Sequence, residues 1–416
     1  MGLWKRLFGG ETKPAHIPAS QSDSVAASPV ARNAARAGGG QVGPETPKIE
    51  AVPFASAPIA GAPAVAQSGL DTKILTPQFV LQAHSGRISC LSIGDEGFRA
   101  VTAGEDGDLN FWNIYDGSHE ARIRTGGRVR AVCYLDSDTT VATLLDSGVI
   151  RYYELSGILV RELDAGPIDP EFVVAFRRIS RTNGLVVFAG SDSGGGYIRT
   201  SRRTAPFSSG RWWNDVYRGD TIYGSSGGFA SSADGVWLIA GMLGNELAVV
   251  DFSDARFPVR KLHIFGEFGN ALSSLQMNGN DQLICGHNDG GISVWDFNQL
   301  RHDPLFKARS ESHLADDFDD DNDEPSDSPD YDPDKDTELC VLKGHGSSVD
   351  LLAAHGNRLI SEDASGEVIF WNIATRTCVA RSNSKKFGGF TDLAISGSRV
   401  VATGHNGALC VYEWVG

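Results

Sequence analysis

The sequence predicts an all-β fold built from a repeated four-stranded unit. Short strand-like segments are separated by Gly, Asp and Asn clusters, and one eight-residue segment returns several times. Neighbouring copies of this segment are 41 to 45 residues apart where no insertion intervenes. That spacing is typical of one blade of a β-propeller. The 49 glycines among 416 residues agree with a chain of many tight turns.

The repeated segment has an aromatic or equivalent apolar residue at its sixth position. Its copies begin at Gly107, Gly148, Asn245, Gly290, Gly366 and Gly407. Val250 follows Tyr153 at a spacing of 97 residues, which fits two units, one of them degenerate with its third strand near residues 196–201. Trp371 follows Trp295 at a spacing of 76 residues, and the chain between them contains an acidic insert. Counting the degenerate unit, the sequence predicts a seven-bladed β-propeller.

The first unit carries a set of four residues suited to a buried hydrogen-bonded network. His84 precedes the first inner strand, Thr102 lies on the second strand, Asp106 lies in a tight turn and Trp112 lies on the third strand. This pattern resembles the WD-repeat family, and the resemblance covers about residues 77–416. It implies that the four side chains are buried together and that their hydrogen bonds fix the turn.

Two other units keep part of this set. The residues kept are His345, Ser361 and Trp371 in the sixth unit and Asp289 and Trp295 in the fifth. Ser365 stands where the resemblance expects Asp in the sixth unit, and the fifth unit lacks the histidine. We interpret these residues as structural rather than catalytic.

The ends of the predicted propeller complement each other. The last unit ends with the strand at residues 409–414 and lacks a fourth strand, whereas residues 78–82 form a strand that precedes the first unit. We expect residues 78–82 to supply the outer strand of the last blade, which closes the ring without an open edge.

Composition restricts where the protein resides. No segment approaches eighteen consecutive apolar residues, and the N-terminus lacks the apolar run and cleavage site of a secretory signal. The six cysteines form no CxxC pair, which favours buried thiols in a reducing compartment over a disulfide framework or a zinc site. We expect a cytoplasmic protein, with the nucleus as the alternative, and no cofactor.

The chain before the propeller divides into two segments. Residues 1–8 form a short amphipathic peptide that suits a tether to a membrane surface or to a groove of a partner, and the alternative is a featureless start. The candidate tether residues are Leu3, Trp4, Lys5, Arg6, Leu7 and Phe8. Residues 9–72 are rich in Ala, Pro, Ser and Gly and are predicted to be a disordered linker.

Residues 311–338 account for most of the net charge. They hold fourteen acidic residues and one lysine, so they carry −13 of the total −15. We predict a disordered, self-repelling insert. A docking loop for a basic partner is one alternative. Weak calcium binding is the other, although no EF-hand spacing is present.

The degenerate unit contains arginines interleaved with tryptophans. This combination suits single-stranded nucleic acid, a protein interface or an ordinary outer strand. The residues of this candidate partner patch are Arg199, Arg202, Arg203, Arg211, Trp212 and Trp213.

The motifs point to binding rather than catalysis. The sequence contains no phosphate loop, HExxH or CxxC motif. We therefore expect a non-catalytic interaction scaffold or adaptor that binds protein partners through propeller rims and loops. One alternative is an RNA-associated subunit that uses the Arg/Trp patch. The other is a ligand-binding or metal-binding propeller enzyme, for which His287, Asp289 and His405 are the available turn residues.

Overall fold

A computed structural model gives the architecture of the chain. The residues that the structure describes are 73–135, 139–164, 173–179, 185–192, 195–202, 213–219, 228–241, 246–253, 259–263, 272–301 and 338–414. Regular structure within them is almost entirely β-strand. The exceptions are the helix α1 (Phe297–Leu300) and a 3-10 helix at Lys385–Phe387.

The described strands form seven sheets, six of four strands and one of five. Two short strands come first, β1 (Lys73–Ile74) and β2 (Phe79–Gln82). The first sheet contains β3 (Ile88–Ile93), β4 (Arg99–Gly104), β5 (Asp108–Asn113) and β6 (His119–Arg124). The second contains β7 (Val129–Tyr134), β8 (Thr140–Leu145), β9 (Val149–Glu154) and β10 (Leu159–Asp164). The third contains β11 (Val173–Ile179), β12 (Leu185–Asp192), β13 (Gly195–Arg202) and β14 (Trp213–Gly219).

The remaining four sheets follow the same order along the chain. The fourth contains β15 (Phe229–Ser231), β16 (Trp237–Gly241), β17 (Glu246–Asp251) and β18 (Val259–His263). The fifth contains β19 (Leu272–Asn278), β20 (Gln282–His287), β21 (Gly291–Asp296) and β22 (Glu338–Lys343). The sixth contains β23 (Val349–His355), β24 (Arg358–Asp363), β25 (Glu367–Asn372) and β26 (Thr377–Asn383), with β1 as a fifth strand. The seventh contains β27 (Phe390–Ser396), β28 (Arg399–Gly404) and β29 (Ala408–Glu413), with β2 at its edge.

Burial explains why the middle strands are nearly all apolar. Every residue of β8 is buried, as are the last five residues of β4, because neighbouring sheets cover both faces of a middle strand. The outer strand β6 instead exposes His119, Glu120 and Arg124. The sequence therefore alternates between apolar middle strands and partly polar outer strands within each unit.

Adjacent sheets pack through shared apolar clusters. Phe111 of the first sheet lies edge-on against Tyr134 of the second, with ring centroids 6.3 Å apart. Phe370 of the sixth sheet packs against Tyr412 and Trp414 of the seventh. Each large side chain buried in these contacts stabilises the fold by about 1.5–3 kcal/mol. First strands of successive sheets contact each other, and β27 contacts β3.

The N-terminal strands join the end of the chain. β2 pairs antiparallel with β29, from Phe79 opposite Val411 to Gln82 opposite Ala408, as the sequence predicts for residues 78–82. β1 pairs in parallel with β26, and the backbone N–H of Leu75 donates to the carbonyl oxygen of Arg381. The strand β1 precedes the predicted propeller boundary at residue 77, so the fold begins earlier than the sequence predicts.

The fold is an all-β propeller. The predicted degenerate unit corresponds to the third sheet, whose third strand β13 includes residues 196–201. None of the helices in the described stretches is both long and apolar enough to cross a membrane.

Candidate functional site

The four residues predicted in the first unit come together in one hydrogen-bonded network, in which His84, Thr102 and Trp112 are buried as expected and Asp106 is exposed. The indole Nε1 of Trp112 donates a hydrogen bond to Thr102 Oγ1 at 3.0 Å. Nε2 of His84 lies 2.9 Å from the same hydroxyl, and its Nδ1 lies 2.9 Å from Asp106 Oδ1. Asn110 joins this network by donating to the backbone oxygen of Ala83 at 2.8 Å. The network connects the segment before β3 with the turn between β4 and β5.

Asp106 is the charged end of this network. Burial alone would raise its pKa, but the hydrogen bond and charge of His84 oppose burial, and backbone N–H groups of Ser85 and Asp108 donate to the carboxylate. Together they lower the pKa of Asp106 to about 2. The carboxylate is therefore ionised at neutral pH and holds the turn in place.

Glycine leaves room for the Asp106 carboxylate. A Cβ at Gly104 would lie 2.4 Å from Nδ1 of His84 and 2.8 Å from Oδ1 of Asp106. Gly107 completes the turn with φ of 78°, a conformation that other residues rarely adopt. These two glycines explain why the segment from Gly104 to Gly107 folds as it does.

The sixth sheet builds a similar network with a different carboxylate. Trp371 Nε1 donates to Ser361 Oγ at 2.8 Å, and His345 Nε2 lies 2.6 Å from that oxygen. Asp363 Oδ2 lies 3.3 Å from Nδ1 of His345. Ser365 is not the end of the network, because its backbone N–H and hydroxyl donate to Oδ1 of Asp363. The carboxylate of the sixth unit therefore comes from two residues before the position at which the resemblance expects it.

The two sheets exchange the roles of two turn positions. Asp363 stands two residues before Ser365, as Gly104 stands two residues before Asp106. In the first sheet the earlier position is a glycine and the later one carries the carboxylate; in the sixth sheet the order is reversed. A search for Asp at one fixed position misses this exchange.

The fifth sheet also contains a histidine in its network, although not at the position where the resemblance expects one. His287 Nε2 lies 2.8 Å from Ser293 Oγ, and Trp295 Nε1 donates to that oxygen at 2.8 Å. His287 ends β20 of the same sheet rather than preceding its first strand, so the expected spacing does not reveal it. Asp289 accepts from the backbone N–H of Gly291 and stabilises the turn.

The comparison with known families agrees with this geometry. Residues 75–113 match the family model described as WD domain, G-beta repeat. The matched segment includes all four residues of the first network, and it lies in a chain whose strands form a propeller. The chain is a WD-repeat β-propeller. No curated protein matches the chain closely enough to count as a relative.

One group of side chains in the described part of this WD-repeat propeller has the spacing of a metal site. It consists of His345, Asp363 and Glu367. Burial lowers the pKa of His345, although the carboxylates of Asp363 and Glu367 oppose this change. Glu367 forms an ion pair with Arg381. Nε2 of His345 and Oδ1 of Asp363 contact the hydroxyls of Ser361 and Ser365, whereas Nδ1 of His345 and Oδ2 of Asp363 are buried without a hydrogen-bond partner among the described residues.

The other residues considered for a metal site have separate surroundings. His287 and Asp289 take part in the fifth-sheet contacts described above. His405 lies exposed in a turn of the seventh sheet, where partial burial and the charge of Arg87 lower its pKa and Glu105 opposes them. Among the described residues, the structure does not join these three in one group of ligands.

Buried thiols in the propeller are poor nucleophiles. Burial raises the pKa of Cys285 strongly and that of Cys410 to about 12. Both cysteines are therefore protonated at neutral pH. The thiolate, not the thiol, is the form that acts as a nucleophile or binds a metal ion.

An opening of about 770 Å³ lies where the first strands end. It is lined by turns of several sheets. Arg178 binds Asp95 there with both terminal nitrogens, at 2.7 and 2.5 Å. Asn278 donates to the backbone oxygen of Gly356 at 2.7 Å, which links the fifth and sixth sheets. The opening is polar and its walls are tied together.

The prediction that Arg199 belongs to an accessible Arg/Trp patch is wrong. This side chain is fully buried in β13, and its guanidinium lies 4.2 Å from the ring centroid of Tyr197. It packs inside the third sheet and is inaccessible to a partner. The side chains of Arg202 and Trp213 lie outside the described part of the chain, as do the three residues Arg203, Arg211 and Trp212.

Two further predicted segments lie outside the described residues. They are the tether candidates in residues 1–8 and, except for Glu338, the acidic insert at 311–338. Glu338 begins β22, so the insert connects the third and fourth strands of the fifth sheet.

Proposed function

We propose that the chain is a non-catalytic scaffold that holds protein partners on its propeller. The observation that carries this proposal is that the polar residues of the sheets form contacts within the propeller. The histidines and carboxylates that suggested chemistry instead bind each other and stabilise turns. The propeller then offers a partner a rigid framework with turns from several sheets around one opening. WD-repeat propellers commonly serve as interaction scaffolds, which agrees with this proposal.

We also propose that the seven sheets are seven blades of one ring. Contacts between the first strands of successive sheets support this count, as does the contact between β27 and β3. Leu91 of β3 donates its backbone N–H to Asp392 of β27 at 3.0 Å, which supports closure between the last and first blades.

The scaffold is proposed to act in the cytoplasm, with residues 1–8 as a reversible tether. The support comes from the sequence. The peptide places Leu3, Trp4, Leu7 and Phe8 on one helical face, with Lys5 and Arg6 off that face.

Affinity recovery from cells tests whether the propeller holds partners. The tagged full chain is compared with two variants, Gly104→Val and Gly346→Ala. A Cβ at Gly104 meets His84 at 2.4 Å, whereas one at Gly346 meets no atom within 4 Å. We expect protein partners at near-stoichiometric amounts with the full chain and Gly346→Ala, and their loss with Gly104→Val.

Two outcomes would contradict the proposal. Partners that persist with Gly104→Val, in a preparation whose circular dichroism shows a disrupted fold, would bind segments outside the propeller. Partners that disappear after ribonuclease treatment would favour an RNA-associated subunit instead.

A further inference from the structure

The outer strand of the second sheet exposes a run of apolar residues. Ile158 is 59% exposed, and the next two residues, Leu159 and Val160, are each 39% exposed. They make up three of the five large hydrophobic residues that are exposed in the described part of the chain. A contiguous apolar run on a surface otherwise rich in polar groups is typical of a contact site.

This run lies on an open sheet edge. β10 pairs with β9 on one side and, among the described strands, with none on the other. An open edge presents backbone N–H and C=O groups to which another strand can pair. Proteins usually protect such an edge with charged residues, and the start of β10 carries apolar residues instead.

The same chain shows how a blade edge accepts an added strand. In the sixth sheet β1 pairs along the outer side of β26, and Leu75 extends the pairing by one hydrogen bond. The added segment is short, extended and pairs through its backbone. The edge of β10 is the corresponding edge of the second sheet.

Charge on β10 indicates which residues should flank the apolar part of an added strand. Glu162 and Asp164 are exposed beyond Val160, while Arg161, directly after Val160, is half-buried. Glu162 contacts Arg151 on β9 at 2.6 Å and its side chain remains 49% exposed. A basic residue next to the apolar part of the incoming segment complements these carboxylates.

We propose that β10 is a docking edge for an extended segment of a protein partner, with apolar residues followed by lysine or arginine. The segment adds as a fifth strand and covers Ile158, Leu159 and Val160. This inference rests on the proposed scaffold function and specifies one surface of it. Backbone pairing provides affinity in this mode, and the side chains provide specificity.

Selection of displayed peptides against the full chain tests this edge. The probe is a library of random twelve-residue peptides, and enriched peptides are then synthesised and titrated. We expect them to combine alternating apolar residues with a basic residue, and to bind Leu159→Glu/Val160→Glu at least tenfold more weakly than the unmodified chain. Methylation of alternate backbone nitrogens in the peptide should abolish binding, because it removes the donors of an added strand.

Leu339→Glu is the matched control. Leu339 is also 39% exposed and lies on β22, the outer strand of the fifth sheet. Peptide binding should be unchanged in this variant, and thermal unfolding of all variants should match that of the unmodified chain.

The outcomes of the peptide selection test the β10 docking edge independently of the scaffold function. Enriched peptides that ignore the β10 substitutions would overturn the docking edge and leave the scaffold function intact, because another surface then binds them. Failure to enrich any peptide would overturn the edge, and the affinity recovery described above judges the scaffold function separately. Binding that survives backbone methylation would overturn strand addition. A dimer in sedimentation that dissociates in Leu159→Glu/Val160→Glu would make a second copy the occupant instead of a partner.

Discussion

At the scale of single residues, two different turn positions supply the carboxylate that faces a buried histidine. Gly104 leaves space for Asp106 in the first sheet, whereas Asp363 occupies the corresponding space in the sixth and Ser365 donates to it. The pair Gly104 and Asp106 and the pair Asp363 and Ser365 are therefore alternative ways to place a carboxylate beside the histidine, and both residues of a pair are required.

Exchanging one pair for the other tests this equivalence. Asp363→Gly should lower the free energy of unfolding by about 2–3 kcal/mol, because a buried hydrogen bond to a charged group is lost. Adding Ser365→Asp should restore at least half of that loss by recreating the first-sheet arrangement. Urea unfolding of both variants measures the effect, and a double variant no more stable than Asp363→Gly would contradict the exchange.

The low pKa of Asp106 predicts a pH-dependent contribution to stability. Its pKa is about 2 in the folded protein and near 3.8 when unperturbed, so the ionised form stabilises the fold above pH 4. Asp106→Asn should therefore lower the free energy of unfolding at pH 7, by about 1 kcal/mol because solvent screens the charge of this exposed residue. As pH falls from 4 toward 2 this difference should shrink, because the native carboxylate also becomes protonated.

Unfolding of the unmodified chain and of Asp106→Asn by urea at pH 7, 4.5 and 3 checks the sign. Asp116→Asn is the control, because Asp116 lies exposed in the turn after β5 and its substitution should have a much smaller effect. A stability difference between the unmodified chain and Asp106→Asn that grows on acidification would contradict the assignment.

The individual network residues were predictable only where their spacing is regular. Thr102 and Trp112 occupy the positions that the repeat predicts, and the structure brings them together with His84. Asp363 is displaced by two residues and His287 belongs to another element, so a fixed spacing does not find them. Arg199 shows a different limit, because residue type alone does not distinguish a surface arginine from one buried against an aromatic ring.

At the scale of elements, the first strands of the chain join the last two sheets. The sequence predicts the β2 segment because the last unit lacks a fourth strand. It gives no sign of β1, because pairing in parallel with a strand some 300 residues away leaves no local pattern. The third sheet is predicted only as a degenerate unit for another reason, because its sequence lacks the polar set of the first.

Three N-terminal deletions separate the contributions of β1 and β2. Deletion of residues 1–70 should leave the unfolding temperature unchanged, and deletion of residues 1–76 should lower it slightly through loss of β1. Deletion of residues 1–83 should destabilise the propeller by about 2–4 kcal/mol, because Phe79 and Leu81 of β2 pack against the apolar cluster that the first and seventh sheets share. Thermal unfolding measures all three, and equal temperatures for the shortest and longest deletions would reject closure by β2.

At the scale of the whole molecule, charge is concentrated in one segment. Residues 311–337 contain thirteen acidic residues and one lysine, so a short Gly/Ser linker in their place changes the formal net charge from −15 to −3. Folding should be unaffected, because a long surface insertion adds little loop entropy. Binding to a basic partner should weaken, and the difference should fade as salt rises. Loss of folding in the replaced chain would show that the insert is packed structure.

The N-terminal peptide determines whether the proposed scaffold is recruited to a surface. Full burial of a large apolar side chain contributes about 1.5–3 kcal/mol of binding free energy, and partial burial of Leu3, Trp4, Leu7 and Phe8 at a bilayer contributes less than this for each residue. Each basic residue adds about 1 kcal/mol near anionic lipid. These magnitudes suit reversible docking but not permanent anchoring. Residues 1–12 fused to a soluble reporter should therefore co-sediment with anionic vesicles. Trp4→Glu/Leu7→Glu should abolish co-sedimentation, and Lys5→Gln/Arg6→Gln should only weaken it. A peptide that does not bind vesicles at any lipid charge would leave a protein groove as the site of tethering.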